Sequence, residues 1–355
     1  MKLVLAIAAA GLTAGLVTSA HAAPAKFILD QDFTGPGGSD VQPIVLFLNN
    51  PDIELLGLTG VTGDDWAAKG VAHALRFLEI AGHPEIPVYQ GASMPITNTP
   101  ERMAIWEALY GPISWKGAWN DPDTDGKSES FDPMAVPVLP EGNPTISAQT
   151  LSAVPFLIEQ VHKYPGEVTI VAAGPLTNIA LAVRQDPEFA GLVKSLVIAN
   201  GPQADFDPAT GKVMATDAFN TVFDPEAAQI VLTAGFDSIV VTGLINTGVA
   251  VDQALVEEMG RNGSELSKYL VQNAWMDLPL WDEIIAAVAI DPTLITSSST
   301  TKAAIELAFG RYYGQMIVFP DEVSPGIGTG AVAIALDFDE ERFRTMFLEA
   351  VAAVK

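Results

Sequence analysis

The chain of 355 residues carries 18 Lys and Arg against 43 Asp and Glu, a formal charge of −25. That surplus argues against nucleic acid or an anionic membrane as a partner, because phosphates and acidic lipids are held by clustered Lys and Arg. At 49% hydrophobic and 17% charged residues the chain can bury a large core, and its lack of Cys removes disulfides, thiolate nucleophiles and sulfur-ligated metals, leaving hard ions held by oxygen or imidazole.

The first segment, Met1 to Ala22, reads as a cleavable signal peptide: Lys2 supplies the positive start, Leu3 to Val17 is apolar and small, and Ala20-His21-Ala22 is a small-x-small cleavage site. A membrane anchor is the weaker alternative, because the run is shorter than the roughly 20 apolar residues a span needs and is broken by Gly11, Thr13 and Gly15. The expected mature protein, 23–355, is then one large domain, periplasmic or secreted, with no membrane association after cleavage.

Beyond the signal, short apolar strands alternate with segments of helical period. Strands are expected at Ala25–Leu29, Ile53–Leu58, Val168–Ala172, Ser195–Ile198 and Ser238–Val241. Helices are expected through Ile44–Leu48 and at Trp66–Ala81, Val154–Val161, Leu176–Val183 and Ala227–Leu232. Such alternation indicates an α/β fold, a mostly parallel open sheet flanked by helices, with ligands bound outside the carboxyl ends of the strands. One stretch interrupts the rhythm. From about 100 to 143 the chain is rich in Trp, Tyr, Pro, Gly and Asp, either a surface excursion pinned by its aromatics or a part of the site that stacks on a flat ligand.

The turn leaving the first strand, Asp30-Gln31-Asp32-Phe33-Thr34-Gly35-Pro36-Gly37-Gly38-Ser39-Asp40, gathers three aspartates. Carboxylates held this close repel unless a positive charge sits among them, and a divalent cation with oxygen ligands, Ca²⁺ or Mg²⁺, is the simplest compensator. An EF-hand does not fit, since counting from Asp30 puts Val41 where its bidentate Glu belongs, and a phosphate loop lacks its G-K-[ST]. The alternative is that Asp30 or Asp40 caps the following helix.

This stretch resembles the aspartate-rich opening motif of the inosine-uridine preferring nucleoside hydrolase family. The similarity continues through Ile53-Glu54-Leu55-Leu56-Gly57-Leu58-Thr59-Gly60-Val61-Thr62-Gly63 and Pro87 to Ala92, and is most specific at Val171-Ala172-Ala173-Gly174-Pro175-Leu176-Thr177-Asn178. Phe219-Asn220, Asp224-Pro225-Glu226 and Trp281-Asp282 extend it over nearly the whole mature chain. The resemblance implies Ca²⁺-dependent hydrolysis of the N-glycosidic bond of a small-molecule nucleoside, in a protein commonly assembled as a homodimer or homotetramer. By motif position, Asp32 is implied as general base and metal ligand, joined at the metal by Asp40, Asp282 and the backbone carbonyl of Ala173. Asp30, Ser39, Asp64, Lys212 and Asn220 are implied substrate contacts, and Trp281 a catalytic candidate that stacks on the leaving base.

The departures are specific. About three extra residues, Phe33 to Gly35, expand the opening motif, and Ser39 stands where the family carries the first of two aspartates. Ala218 stands where a Glu is common, Lys212 at the position of a ribose-contacting asparagine, and Trp281 where a histidine commonly precedes the last metal aspartate. An indole N–H donates a hydrogen bond but is no acid at ordinary pH. His73, His83 and His162 fall in no matching motif and read as ordinary surface or packing residues, while Trp66 is either a second stacking candidate or packs on its own helix.

Overall fold

The computed structural model describes residues 23–113, 115–120, 132–202 and 219–354. The expected signal peptide, Lys212 and Ala218 therefore lie outside the described residues. Among the described residues nine strands form one sheet: β1 (Ala25–Gln31), β2 (Ile53–Gly60), β3 (Val88–Gln90), β4 (Val168–Ala172), β5 (Ser195–Ile198), β6 (Ile239–Val241), β7 (Ile295–Ile305), β8 (Met316–Phe319) and β9 (Gly330–Phe338). Their order is β3-β2-β1-β4-β5-β6-β9-β7-β8. All pairings from β3 to β9 are parallel, and only β7, against β8 and β9, is antiparallel.

The helices are α1 (Ala67–Ile80), α2 (Pro100–Tyr110), α3 (Ala153–Lys163), α4 (Thr177–Gln185), α5 (Phe189–Leu192), α6 (Phe219–Phe223), α7 (Pro225–Leu232), α8 (Gln253–Met259), α9 (Glu265–Gln272), α10 (Trp281–Ile290) and α11 (Glu340–Ala353). Strand alternation sorts them into two layers. Phe27 and Leu29 of β1 face one apolar cluster built with α1, α8, α9, α10 and α11, whereas Ile28 faces a second built with α3, α4, α5 and α7. The expected α/β class and the five expected strands are all present, the central ones fully buried as apolar runs between two helical layers should be. The expected helix through Ile44–Leu48 is a 3-10 segment, Gln42–Phe47. The segment about 100–143 holds α2 and a 3-10 turn, Gly117–Trp119. No helix among the described residues is long and apolar enough to cross a membrane.

Topology places the site. The order runs outward from β1 through β2 and β3 on one side and from β4 through β5 and β6 on the other, so the chain reverses direction between β1 and β4. Connections diverge there and leave a crevice at the carboxyl ends of the two strands. Ala173 and Asp32, the residues just beyond those ends, are neighbours across it, with the Ala173 N–H donating to the Asp30 carbonyl at 2.9 Å.

One contact within the second layer is titratable. Asp224 caps α7 by accepting from the Ala227 N–H at 3.1 Å, and its other oxygen accepts from Thr177 Oγ1 at 2.6 Å and the Ile96 N–H at 3.0 Å. Burial pushes this carboxyl up to about 6 against those hydrogen bonds. The folded chain then keeps a proton that the unfolded chain releases near pH 4, so the contribution to stability is complete below about 4 and is lost as pH rises through about 6. The stability of wild type minus that of Asp224→Asn, from urea unfolding at pH 4 to 8, should fall by roughly 2–3 kcal/mol between pH 4 and 7 and then level off. A difference that stays flat across that range contradicts the assignment.

Candidate active site

A cavity of about 630 Å³ opens at the reversal point. Its acidic floor and wall carry Asp32, Asp40, Asp64, Asp65 and Asp282, and Ala173, Asn220 and Trp281 also line it. Thus Asp32, Asp40, Ala173, Asp282, Asp64, Asn220 and Trp281, predicted from scattered motifs, meet in one place. Asp32 leaves the end of β1, Asp64 the turn after β2, and Ala173 follows β4. Asp40 precedes the 3-10 segment, and Asp282 sits in the first turn of α10, where a helix N-terminus favours negative charge.

Asp32, Asp40 and Asp282 are buried and unfavourably placed. Burial, then the charges of Asp64 and Asp282, pushes Asp32 well above the usual carboxylate range. Asp40 is raised by burial and by Asp64, Asp282, Asp32 and Glu283, and Asp282 is pushed up to about 7 by burial, with Asp64 adding to it and hydrogen bonds from Gln31 and Asp40 opposing. Lys69, the one Lys or Arg among the described lining residues, is paired with Asp65 at 3.0 Å. Asp40 Oδ2 is buried with no hydrogen-bond partner. Orphaned acceptors of this kind demand an explanation, and a cation supplies one.

Two neighbours orient the floor. The Asp64 N–H donates to Asp32 Oδ2 at 2.8 Å, while Trp115 Nε1 donates to Asp64 Oδ1. Gly174 lies so close that a Cβ there would stand 2.7 Å from Asp32 Oδ1 and 2.8 Å from its backbone nitrogen. Asn220 Nδ2 donates to the Ala173 carbonyl at 2.5 Å, so the implied backbone ligand is engaged by the implied ribose contact, whose own Oδ1 is buried without a partner.

Two expectations are corrected. Asp30 does not line the cavity: it shares the face of β1 with Ile28, and its Oδ1 accepts from Thr59 Oγ1 at 2.6 Å and Asn178 Nδ2 at 2.7 Å, on the side of α4. Ser39 also points elsewhere. Its Oγ donates to Glu283 Oε2 at 2.6 Å and accepts from the Asp282 N–H at 2.9 Å, so it holds the start of α10 rather than a substrate. Trp66 does not stack in the site; it packs with Met103, Ala118, Trp119 and Phe223. His73, taken from the sequence as an ordinary packing or surface residue, is buried but reaches the cavity wall.

Sequence reasoning missed Gln31, whose amide donates to Asp282 Oδ2 at 2.6 Å and to the Asp40 carbonyl at 3.1 Å, while its Oε1 accepts from the Asp32 N–H at 3.2 Å. The signal was available: Gln31 shares the parity of Phe27 and Leu29, toward α10. Trp275, which brings aromatic surface to the cavity, carried no signal beyond residue type, whereas Phe219, which does the same, stands in the Phe219-Asn220 motif but was given no role. Among the described residues, the one His/Asp/Glu triplet with ligand atoms within 4.8 Å of one another is His162, Asp186 and Glu188, none of which lines the cavity. Asp32, Asp40 and Asp282 are less tightly drawn together than that.

The chain is similar to known nucleoside hydrolases. The family model for inosine-uridine preferring nucleoside hydrolase matches residues 27–345. Uridine nucleosidase 1 of Arabidopsis thaliana is 35% identical over 73% of this chain and 68% of its own length, and probable uridine nucleosidase 1 of Oryza sativa subsp. japonica is 36% identical over 67% and 64%. Among solved structures, a plant nucleoside hydrolase superposes with a TM-score of 0.72 at 27% identity, covering 93% of this chain and 99% of that one. The chain belongs to the inosine-uridine preferring nucleoside hydrolase family and is a nucleoside hydrolase.

Proposed function

We propose that the chain cleaves ribonucleosides to free base and ribose with Asp32 as general base, at a site completed by Ca²⁺. The observation that carries this reading is the convergence of Asp32, Asp40 and Asp282 on one cavity, each raised by burial and by its neighbours, with a buried Asp40 oxygen left without a partner. The donor set fits a hard cation: three carboxylates and the Ala173 carbonyl, all oxygen, leave room within six to eight ligands for water and two sugar hydroxyls. When bound, the ion supplies positive charge that steadies a sugar diol and lowers the pKa of a neighbouring water.

The remaining chemistry falls to the protein. Asp32 Oδ2, oriented by the Asp64 N–H, takes a proton from the attacking water as the bond from C1′ to the base nitrogen breaks. The sugar becomes cationic in that step, and the surrounding carboxylates favour it. Asn220 and Asp64 face the ribose, and Lys212 is assigned to the same task by its motif position. Trp281 stacks on the leaving base without protonating it, so the base departs with the bonding pair as an anion and takes its proton from solvent, to which Asp32 in turn releases its own. The names of the plant relatives make uridine the first substrate to try. Export accompanies this reading through Met1–Ala22, and N-terminal sequencing of the secreted protein should begin at Ala23; a start at Met1 contradicts it.

Purified protein should release uracil from uridine, lose that activity to a calcium chelator and regain it on adding Ca²⁺. Saturable binding without product, or turnover indifferent to chelation, overturns the proposal. Asp32→Asn should reduce kcat at least 10³-fold in a protein that still melts cooperatively. For Asp282→Asn the signs split: the metal-free protein should melt higher than wild type, because one buried like charge is gone, while the rise in Tm on adding Ca²⁺ should be abolished. Gly174→Ala should cost about 10²-fold in kcat by displacing Asp32, and full activity there would show that the Asp32 position is not critical.

A further inference from the structure

The cavity is polar at its floor, but part of its wall is apolar and comes from the stretch that interrupts the strand–helix rhythm. Pro137, Val138, Leu139 and Pro140 line it. This short strap is internally stiff. The Leu139 N–H donates to Asn143 Oδ1 at 3.0 Å, Asn143 Nδ2 donates to the Pro137 carbonyl at 3.0 Å, and the Gly142 N–H donates to the Leu139 carbonyl at 2.9 Å. Two prolines limit its backbone further.

The strap is held on successive turns of α1. His73 Nδ1 lies 2.5 Å from Glu141 Oε1, with side chains 1% and 4% exposed, the most deeply buried ion-pairing contact among the described residues. Arg76 Nε donates to the Glu141 carbonyl at 3.1 Å. Glu79 Oε1 accepts from the Thr145 N–H at 2.7 Å, Thr145 Oγ1 at 2.5 Å and the Ile146 N–H at 3.0 Å. Gly35, in the expanded opening motif, allows the imidazole to sit there, since a Cβ at Gly35 would stand 2.5 Å from His73 Nδ1.

The pair is costly as a mere clamp. His73 Nε2 and Glu141 Oε2 are buried and without hydrogen-bond partners, and a buried pair with unsatisfied atoms stabilises less than an apolar contact of similar volume. Its effect is to fix where the strap lies. The strap brings no charge into the cavity, whereas a ribose finds its polar partners among the floor aspartates and Asn220. What an apolar wall can sense is the flat base.

We propose that the strap Pro137–Gly142 is a specificity-determining wall for the base of the nucleoside, and that His73 and Glu141 are the residues that position it. The inference rests on the reading of the cavity as a nucleoside site. The experiment is calorimetric titration of the full chain, with Ca²⁺ present, using pseudouridine, whose carbon–carbon glycosidic link resists hydrolysis, and separately D-ribose. Glu141→Ala should weaken pseudouridine at least tenfold and ribose less than twofold. Glu141→Gln, which keeps an acceptor for His73 Nδ1, should recover most of that loss. Val138→Ser, at a side chain 86% exposed and therefore harmless to folding, should weaken pseudouridine about threefold. Equal losses for both ligands in Glu141→Ala would reduce the strap to a structural clamp and overturn the proposal, as would no loss for either. Wild-type protein that binds neither ligand overturns the nucleoside reading itself, a result distinct from the other two.

Discussion

The amide of Gln31 joins three parts of the acidic floor that electrostatics would separate. Its nitrogen reaches Asp282 on α10 and the carbonyl of Asp40 in the opening loop, and its oxygen takes the N–H of Asp32. Two like charges about 5 Å apart at an effective dielectric near 20 cost about 3 kcal/mol, and a hydrogen bond to a charged group returns about 1.5–3 kcal/mol. One glutamine therefore offsets about one repulsive pair. Asp32, Asp40, Asp64 and Asp282 present several, so the remainder is met either by protonation, as the upward displacement of Asp32, Asp40 and Asp282 indicates, or by a cation.

Much of this was legible in sequence. Val168–Ala172 and Ser195–Ile198 read as buried strands because parallel strands between two helical layers have no polar face to disguise them. The Ser- and Thr-rich β7 lacked that signature; it pairs on both sides yet leaves much of its length exposed, so its sequence resembles a loop. At the site, motif positions pointed to Asp32, Asp40, Ala173 and Asp282, which all line one cavity, since each lies at or near a strand end or helix start whose place the topology dictates. Asp30 misled because a motif is read as a string, whereas a strand alternates: Asp30 and Gln31 are one residue apart and serve opposite faces of the sheet. Lys212 lies where motif position is the only guide.

The aromatic stretch resolves in both directions at once. Trp106 and Trp119 are buried and pin the excursion to the body, Trp106 through a hydrogen bond from Nε1 to the Gly310 carbonyl at 2.8 Å. Trp115, between them, reaches the cavity and donates to Asp64. Residue type does not separate these roles, because each indole has the same apolar body and single donor; the surroundings do, since Trp106 finds its acceptor on the body and Trp115 in the cavity, while Trp119 is held by packing with its Nε1 buried and without a partner.

Ser39 shows how one departure from the family pattern is absorbed. A carboxylate at that position would face Glu283, whose Oε2 now lies 2.6 Å from the serine hydroxyl, and burial has already raised Glu283 well above its usual range. A hydroxyl both donates and accepts, so Ser39 meets Glu283 Oε2 and the Asp282 N–H together without adding charge. The floor gives up one negative charge and gains a fixed start for α10, which sets the direction of Asp282 and of Trp281 beside it. Asp64 and Asn220 line the cavity as well, and both are oriented by neighbours that line it too, Trp115 and the Ala173 carbonyl.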